Sequence, residues 1–460
     1  MPAPASSAQD LGAGHTVSSR TILALAVPAL GALIAEPLFA LVDSAFVAHV
    51  STEALAGLGL ASTILTTIVG LAIFLAYATT AEVARAVGAG DMRRAVTKGI
   101  DASWLALLIG AGLLVLLVPF GNWVLSLFGP SPVVLDQASI YLRISALGIP
   151  AMLLIQAASG LVRGLQNTTV TLVIAVAGVL LNIPLNWVLI FGLNLGIAGS
   201  AVGTVIAQWL MAAAYLVIVV RGARRHGAAL TPHLSSVHAV WRDARWLFIR
   251  SLTMRVVLLA TTAVALKLGD VQLAAHQLMN TVFALSALAL DSLAIAAQAL
   301  TGKHLGRRDV AAVESVMSRL IRWSVWGGAA VSLLLLLAAF IVPGLFTPDP
   351  AVQHVLFWAL IVFVFAQPLA GYVFVLDGVF MGAGDAKYLA KASVITMTAY
   401  LPFAAALWWL AASGRLGGED PLGLALLWAA FTAVFLGARA ITLWWRTRTS
   451  EWMHLDSGAR

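Results

Sequence analysis

Cysteine is absent from the chain, so disulfides, thiolate metal sites and cysteine nucleophiles are all excluded. Charge is scarce as well. Asp, Glu, Lys and Arg make up 10% of the 460 residues, against about 25% in soluble globular domains. There is no Walker A sequence, which argues against ATP-driven pumping by this chain. Neither His-Glu-x-x-His nor Gly-x-Ser-x-Gly occurs, and no clustered nucleophile or metal set suggests an enzyme. What fills the chain instead is apolar: 61% of residues are hydrophobic. A water-soluble core cannot absorb that much apolar surface, whereas lipid can.

The apolar residues fall in runs near 21–48, 54–84, 98–120, 135–162, 168–191, 196–220, 244–267, 271–301, 316–342, 351–381, 387–411 and 422–445. Each is long enough to cross a hydrocarbon core as a helix, which takes ~20 residues. The runs are too long and too uniformly apolar for barrel strands. The chain is therefore predicted to be an all-α membrane protein with twelve spans. Residues 1–20 are small and polar and lack the basic start and apolar centre of a signal peptide. They are predicted to be a disordered cytoplasmic tail, and residues 447–460 a second cytoplasmic tail.

The net charge of +7 does not point to nucleic acid, because the basic residues sit in short loops between apolar runs. With twelve spans, Arg85, Arg93, Arg94, Lys98, Arg163, Arg221, Arg224, Arg225, Lys303, Arg307, Arg308, Lys387, Lys391 and Arg446 fall on one side. Only Arg143, Lys267 and Arg415 fall on the other. The positive-inside rule then places both termini in the cytoplasm and the protein in the cell membrane.

A shift of 218 residues superposes the two halves of the sequence. Gly88 and Asp91 meet Gly306 and Asp309, Pro150 meets Pro368, Gly160 and Gly164 meet Gly378 and Gly382, and Pro184 meets Pro402. Six spans per half, an even number, give the halves the same orientation. This is a parallel repeat related by an axis along the membrane normal. Two pseudo-symmetric six-helix bundles, 21–221 and 244–446, are expected around a central cavity, tethered by a polar, basic linker at 222–243. The repeat also shows what is not duplicated. Asp43 falls opposite Thr261, Asn182 opposite Tyr400, and Asn186 opposite Ala404.

Asp43 lies deep in the apolar run Phe39 to Val50. A charge there costs at least ~2.5 kcal/mol, so such residues usually face a cavity and have a function. It would suit a carboxylate that loads and releases a proton, although a helix-packing hydrogen bond is the structural alternative. Glu36 is two turns earlier on nearly the same face, ~10 Å along the axis. Pro28 and Pro37 flank this stretch, and each removes a backbone donor and can bend the helix. Asn182 and Asn186 stand at i and i+4 around Pro184, where their amides could coordinate a cation, bond a carboxylate or glue helices together. Thr204 and Gln208 on the sixth span are similarly placed. In the second half, Asp291 and Asp377 are expected to partner Arg250 and Arg255, since buried opposite charges usually pair. A direct substrate role is the alternative for these four.

At these residues the chain resembles the multidrug and toxic-compound extrusion (MATE) family, in its DinF-like branch. Glu36-Pro37-Leu38-Phe39 followed by Leu41-Val42-Asp43-Ser44-Ala45-Phe46-Val47 is similar to that branch's first-helix signature. Leu55-Ala56-Gly57-Leu58-Gly59, Ala84-Arg85 to Gly90-Asp91, Arg163-Gly164, Asn182 with Asn186, Ala274-Ala275-His276-Gln277, Asp291 and Asp377-Gly378 continue the likeness in order. The resemblance implies twelve helices forming a V around a cavity. It also implies export of amphipathic, often cationic, compounds in exchange for protons or sodium. It makes Asp43 the coupling carboxylate, matches Pro28 to the bending proline and Asn182 to the fifth-helix asparagine. Several relatives carry aspartate where this chain has Asn186, and its loss favours protons over sodium. The expectation is a proton-coupled antiporter of small amphipathic molecules, working as a monomer with no cofactor and no bound metal. The alternatives are a sodium-coupled antiporter and a flippase of lipid-linked precursors.

Overall fold

The computed structural model describes residues 18–232 and 234–453. Helices fill nearly all of it, because no other backbone arrangement satisfies so many polar groups within such apolar runs. Among the described residues, ten helices are long and apolar enough to cross a membrane, and the number is twelve with each of two bent pairs taken as one span. In the first half they are α1 (Ser19–Ala48), α2 (Thr52–Gly88), α3 (Met92–Ser126), α4 (Pro132–Ala146 with Ile149–Gly164), α5 (Thr168–Gly192) and α6 (Gly196–His226). In the second they are α7 (Leu234–Leu268), α8 (Asp270–Gly306), α9 (Val310–Ala339), α10 (Pro350–Val364 with Gln367–Ala383), α11 (Ala386–Ala412) and α12 (Leu422–Thr447).

The spans follow the apolar runs, with three corrections. The fourth and tenth are bent, by 49° and 56°. Pro150 and Pro368 have no N–H for the carbonyls of Ala146 and Val364, and the first segment of each pair ends at those residues. The predicted linker 222–243 is largely helical: α6 runs on to His226, Gly227 closes it at φ 65°, and α7 starts at Leu234. The predicted disordered tail 1–20 gives way to α1 at Ser19. Ser18 caps α1 by accepting from the Thr21 N–H, and a short turn at Glu451–Met453 seats Trp452 against Phe380. Residues 1–17 and 454–460 lie outside the described residues.

The internal repeat is physical. α1 packs on α5 and α2 on α4; likewise α7 packs on α11 and α8 on α10. The same glycines permit the same close approaches. A Cβ on Gly110 would meet Pro150 Cα at 2.6 Å, and one on Gly328 would meet Pro368 Cα at 2.8 Å. A Cβ on Gly160 would strike the Ala76 carbonyl, and one on Gly378 the Ala294 carbonyl. Asp91 and Asp309 each cap the next helix, accepting from Arg94 N at 2.8 Å and Ala312 N at 3.0 Å.

The halves meet along α2 and α8 at the end of the bundle that carries the basic loops, and α1 also packs on α8. Repeat-related Gly88 and Gly306 face each other there, each beneath a carbonyl of the opposite half, that of Lys303 and that of Arg85. Arg85 donates to the Gly382 carbonyl at 3.1 Å, Lys303 to Gln166 at 2.7 Å, and Gln298 to the Tyr77 carbonyl at 2.5 Å. Arg255 reaches Thr67 near mid-span. Among the described residues, no hydrogen bond joins the spans of the two halves beyond that level, so their polar contacts gather at the basic end.

Candidate functional site

Asp43 lies on the face of α1 turned toward α5 and α6, and only 4% of its surface is exposed. Both carboxylate oxygens accept hydrogen bonds. Asn186 Nδ2 donates to Oδ1 at 2.6 Å and the Thr204 hydroxyl donates to Oδ2 at 2.7 Å. Asn186 Nδ2 also donates to Asn182 Oδ1 at 3.0 Å, and Asn182 Nδ2 donates to the Thr204 hydroxyl at 3.4 Å. The i, i+4 spacing on α5 puts both amides on one face. Pro184 sits between them without breaking the helix, which runs on into a π-helical turn at Val188–Gly192.

Small residues make room for this cluster. A Cβ on Gly203 of α6 would lie 2.8 Å from Asn186 Oδ1. That same Asn186 oxygen is buried without a hydrogen-bond donor. Tyr141 on α4 is a member that the sequence reading missed. Its buried side chain lies beside Asp43, Thr204 and Ser145. Nothing in the sequence singled it out, because a tyrosine in an apolar run is more often packing than site. Gln208 stands apart from Asp43. It packs against Gly148 at the bend of α4, while Trp209 donates to the Leu147 carbonyl at 3.1 Å.

Glu36 is not part of the cluster. It lies on an exposed face of α1, makes no hydrogen bond among the described residues, and feels the charge of Arg163 on α4. Pro28 and Pro37 both stand inside α1, which continues through them. Near Pro28, where one intrahelical donor is missing, the Thr168 hydroxyl donates to the Leu25 carbonyl at 3.0 Å.

In the second half one expected pair forms, Arg250 with Asp377, and the other does not. Asp377 lies between two arginines, with Arg250 at 2.9 Å and Arg439 of α12 at 2.5 Å. Arg439 is 4% exposed. Arg255 pairs with neither aspartate and bonds Thr67 instead. Asp291 accepts from the Tyr77 hydroxyl of the opposite half at 3.2 and 3.3 Å, with Arg163 and Arg250 within electrostatic reach. His276 is packed: it bonds Thr262 at 3.2 Å and Asn280 at 3.0 Å and lies against Trp428. Among the described residues, no three or more His, Asp or Glu side chains gather as a metal cluster would.

Known proteins are similar to this chain in sequence and in fold. The family model described as MatE matches residues 28–188 and again 247–406, one copy in each half. Protein DETOXIFICATION 44 of Arabidopsis thaliana, described as chloroplastic, is 29% identical over 462 residues, covering 95% of this chain and 84% of that protein. The DNA damage-inducible protein F of Escherichia coli is 28% identical over 441 residues, covering 93% and 92%. Among solved structures, one described as MATE in the bent conformation superposes with a TM-score of 0.84 at 21% identity, covering 95% and 97%. One described as an outward-facing multidrug resistance transporter gives 0.83 at 22% identity, covering 94% and 96%.

Proposed function

The chain belongs to the MatE family of multidrug and toxic-compound extrusion transporters, and from that premise we propose that it exports small amphipathic, often cationic, compounds in exchange for protons, with Asp43 as the coupling group. The basic end of the bundle then faces the cytoplasm of a cell membrane, with both termini on that side. The two halves alternate between closure at that end and closure at the other.

The observation that carries the reading is the bonding of Asp43. Both of its oxygens accept, the pattern of an ionised carboxylate inside an apolar bundle. A proton arriving from the open side turns one of those oxygens into a donor. Either the Asn186 or the Thr204 bond must then break or reverse. Asn186 already holds a buried oxygen with no donor, and a half-turn of its amide offers that oxygen to the new O–H. Asn186 then releases Asn182, so one proton rearranges the contact of α1 with α5 and α6. Coupling requires that proton and substrate prefer different states. A repacked α1, already short of two backbone bonds at Pro28 and Pro37, provides a part whose shape depends on the proton.

Sodium coupling is the second reading, and the same unpartnered Asn186 oxygen favours it, since a cation between that oxygen and Asp43 would satisfy both. The absence of a second carboxylate in the cluster argues for protons. The test is reconstitution in liposomes with an imposed pH gradient, following a fluorescent organic cation with and without sodium. Transport that follows the pH gradient, ignores sodium and vanishes in Asp43→Asn supports proton antiport. Transport that requires sodium overturns it in favour of the second reading. If no member of a broad cation panel moves under any gradient, the cargo class is wrong.

A further inference from the structure

A cavity of about 300 Å³ lies between the halves at the basic end, remote from Asp43. Its charged lining is Glu82 and Arg85 of α2, Lys98 of α3 and Lys387 of α11, with Trp246 of α7 beside them. Three cations thus face one carboxylate. Glu82 is already engaged, by Arg85 and by Lys98 at 3.2 Å. Among the described residues Lys387 makes no ion pair; its ammonium lies 5.9 Å from the Trp246 ring. A partly enclosed pocket with this excess of positive charge favours an anion.

An apolar groove adjoins it, lined by Trp246, Ile249, Ala390, Val394 and Ile395, with Lys391 also lining it. Trp246 lines both cavities. On α11 the groove runs from Ala390 to Ile395, away from the basic end and into the span. Val394 and Ile395 are 40% and 56% exposed, facing the lipid side of the bundle. A charged pocket at the membrane surface that continues into an apolar groove matches one amphipathic molecule. It does not match a free ion, which has no use for the groove.

We propose that cavity and groove form one site for a phospholipid with an anionic headgroup, its phosphate against Arg85, Lys98 and Lys387 and an acyl chain along Ile249, Val394 and Ile395. The walls come from both halves, so the headgroup pocket is complete only while the basic ends are together. The bound lipid therefore favours this state over the one opened to the basic side. The site is separate from the Asp43 cluster and does not depend on which ion drives transport.

The test is native mass spectrometry of the delipidated, purified full chain, titrated with phosphatidylglycerol or with phosphatidylcholine. Lys387→Glu reverses the headgroup charge, Val394→Trp fills the groove, and Arg224→Glu is an exposed basic control outside the site. Thermal unfolding verifies that each variant is folded. One tightly held phosphatidylglycerol, not matched by phosphatidylcholine, is expected. It should weaken about tenfold in Lys387→Glu and in Val394→Trp and persist in Arg224→Glu, a change of about 1.4 kcal/mol. Equal retention by all variants, equal retention of both lipids, or equal loss in Arg224→Glu overturns the proposal. Displacement of the lipid by millimolar inorganic phosphate, with Val394→Trp unaffected, would mean that the pocket takes free phosphate, and also overturns it.

Discussion

The hydroxyls of Thr261 and Tyr400 share a hydrogen bond of 2.8 Å at the two positions that the internal repeat sets opposite Asp43 and Asn182. The second half has kept the contact between its first and fifth spans and replaced the charge by a neutral pair. Asn186 has Ala404 as its counterpart, and no amide remains there. One half of a pseudo-symmetric molecule thus carries a carboxylate cluster where the other carries packing. The two sites therefore make opposite predictions. Thr261→Val should leave gradient-driven transport intact and lower stability by about 0.5–1.5 kcal/mol, the usual worth of one internal hydrogen bond. Thermal unfolding beside the liposome assay measures both.

Asp43→Asn should fold, since an amide in the same place still accepts one of the two bonds, but it carries no charge and takes up no proton. Transport driven by a pH gradient should fall toward the uncoupled background, by a factor within the ~5–150-fold typical of coupling between sites. The remaining activity should no longer respond to pH. A residual rate that still follows the pH gradient would move the coupling role elsewhere.

Gly203→Ala tests the cluster without touching a polar group. The new Cβ would stand 2.8 Å from Asn186 Oδ1, so the amide must shift and its 2.6 Å bond to Asp43 must lengthen. Coupled transport should drop severalfold while the amount of folded protein in the membrane stays close to normal. Unchanged transport would show that Asn186 is not a positioning residue for Asp43.

Gly88→Leu should pry the halves apart at the basic end, because its Cβ meets the Lys303 carbonyl, which belongs to a helix backbone and cannot swing aside. Natural cysteines are absent, so spin labels attached at Arg93→Cys and Ser318→Cys report the separation of the halves without background. The distance distribution should broaden and lengthen in the glycine variant, and transport should be lost.

Asp377→Asn should be a stability variant. It leaves Arg250 and Arg439 facing each other with no counter-charge, and removal of one partner from a buried ionic group costs about 3–5 kcal/mol. Asp377→Leu combined with Arg439→Met should recover part of that loss. Rescue of stability without rescue of transport would show that the triad also serves the cargo pathway.

Composition and pattern alone determined the architecture of this protein. Twelve runs of the right length, loops with basic residues on one side and a constant repeat offset leave little freedom, because a bilayer admits few ways to satisfy a backbone. Asp43 was legible for a similar reason. A lone carboxylate in an apolar run that its repeat partner lacks calls for an explanation. The bends at Pro150 and Pro368 were not legible. Pro119, Pro184 and Pro402 lie in helices that continue through them, and whether a proline breaks a helix depends on what packs into the gap. Tyr141, Gly203 and Arg439 were not legible either, since helix rotation decides whether such a residue meets lipid, backbone or an aspartate. Spacing along one chain gives the face of a helix, but only the packing of neighbouring helices gives what that face meets. Tertiary structure thus brought Asn186 and Thr204 to Asp43, left Glu36 outside the cluster, and set Asp377 between two arginines.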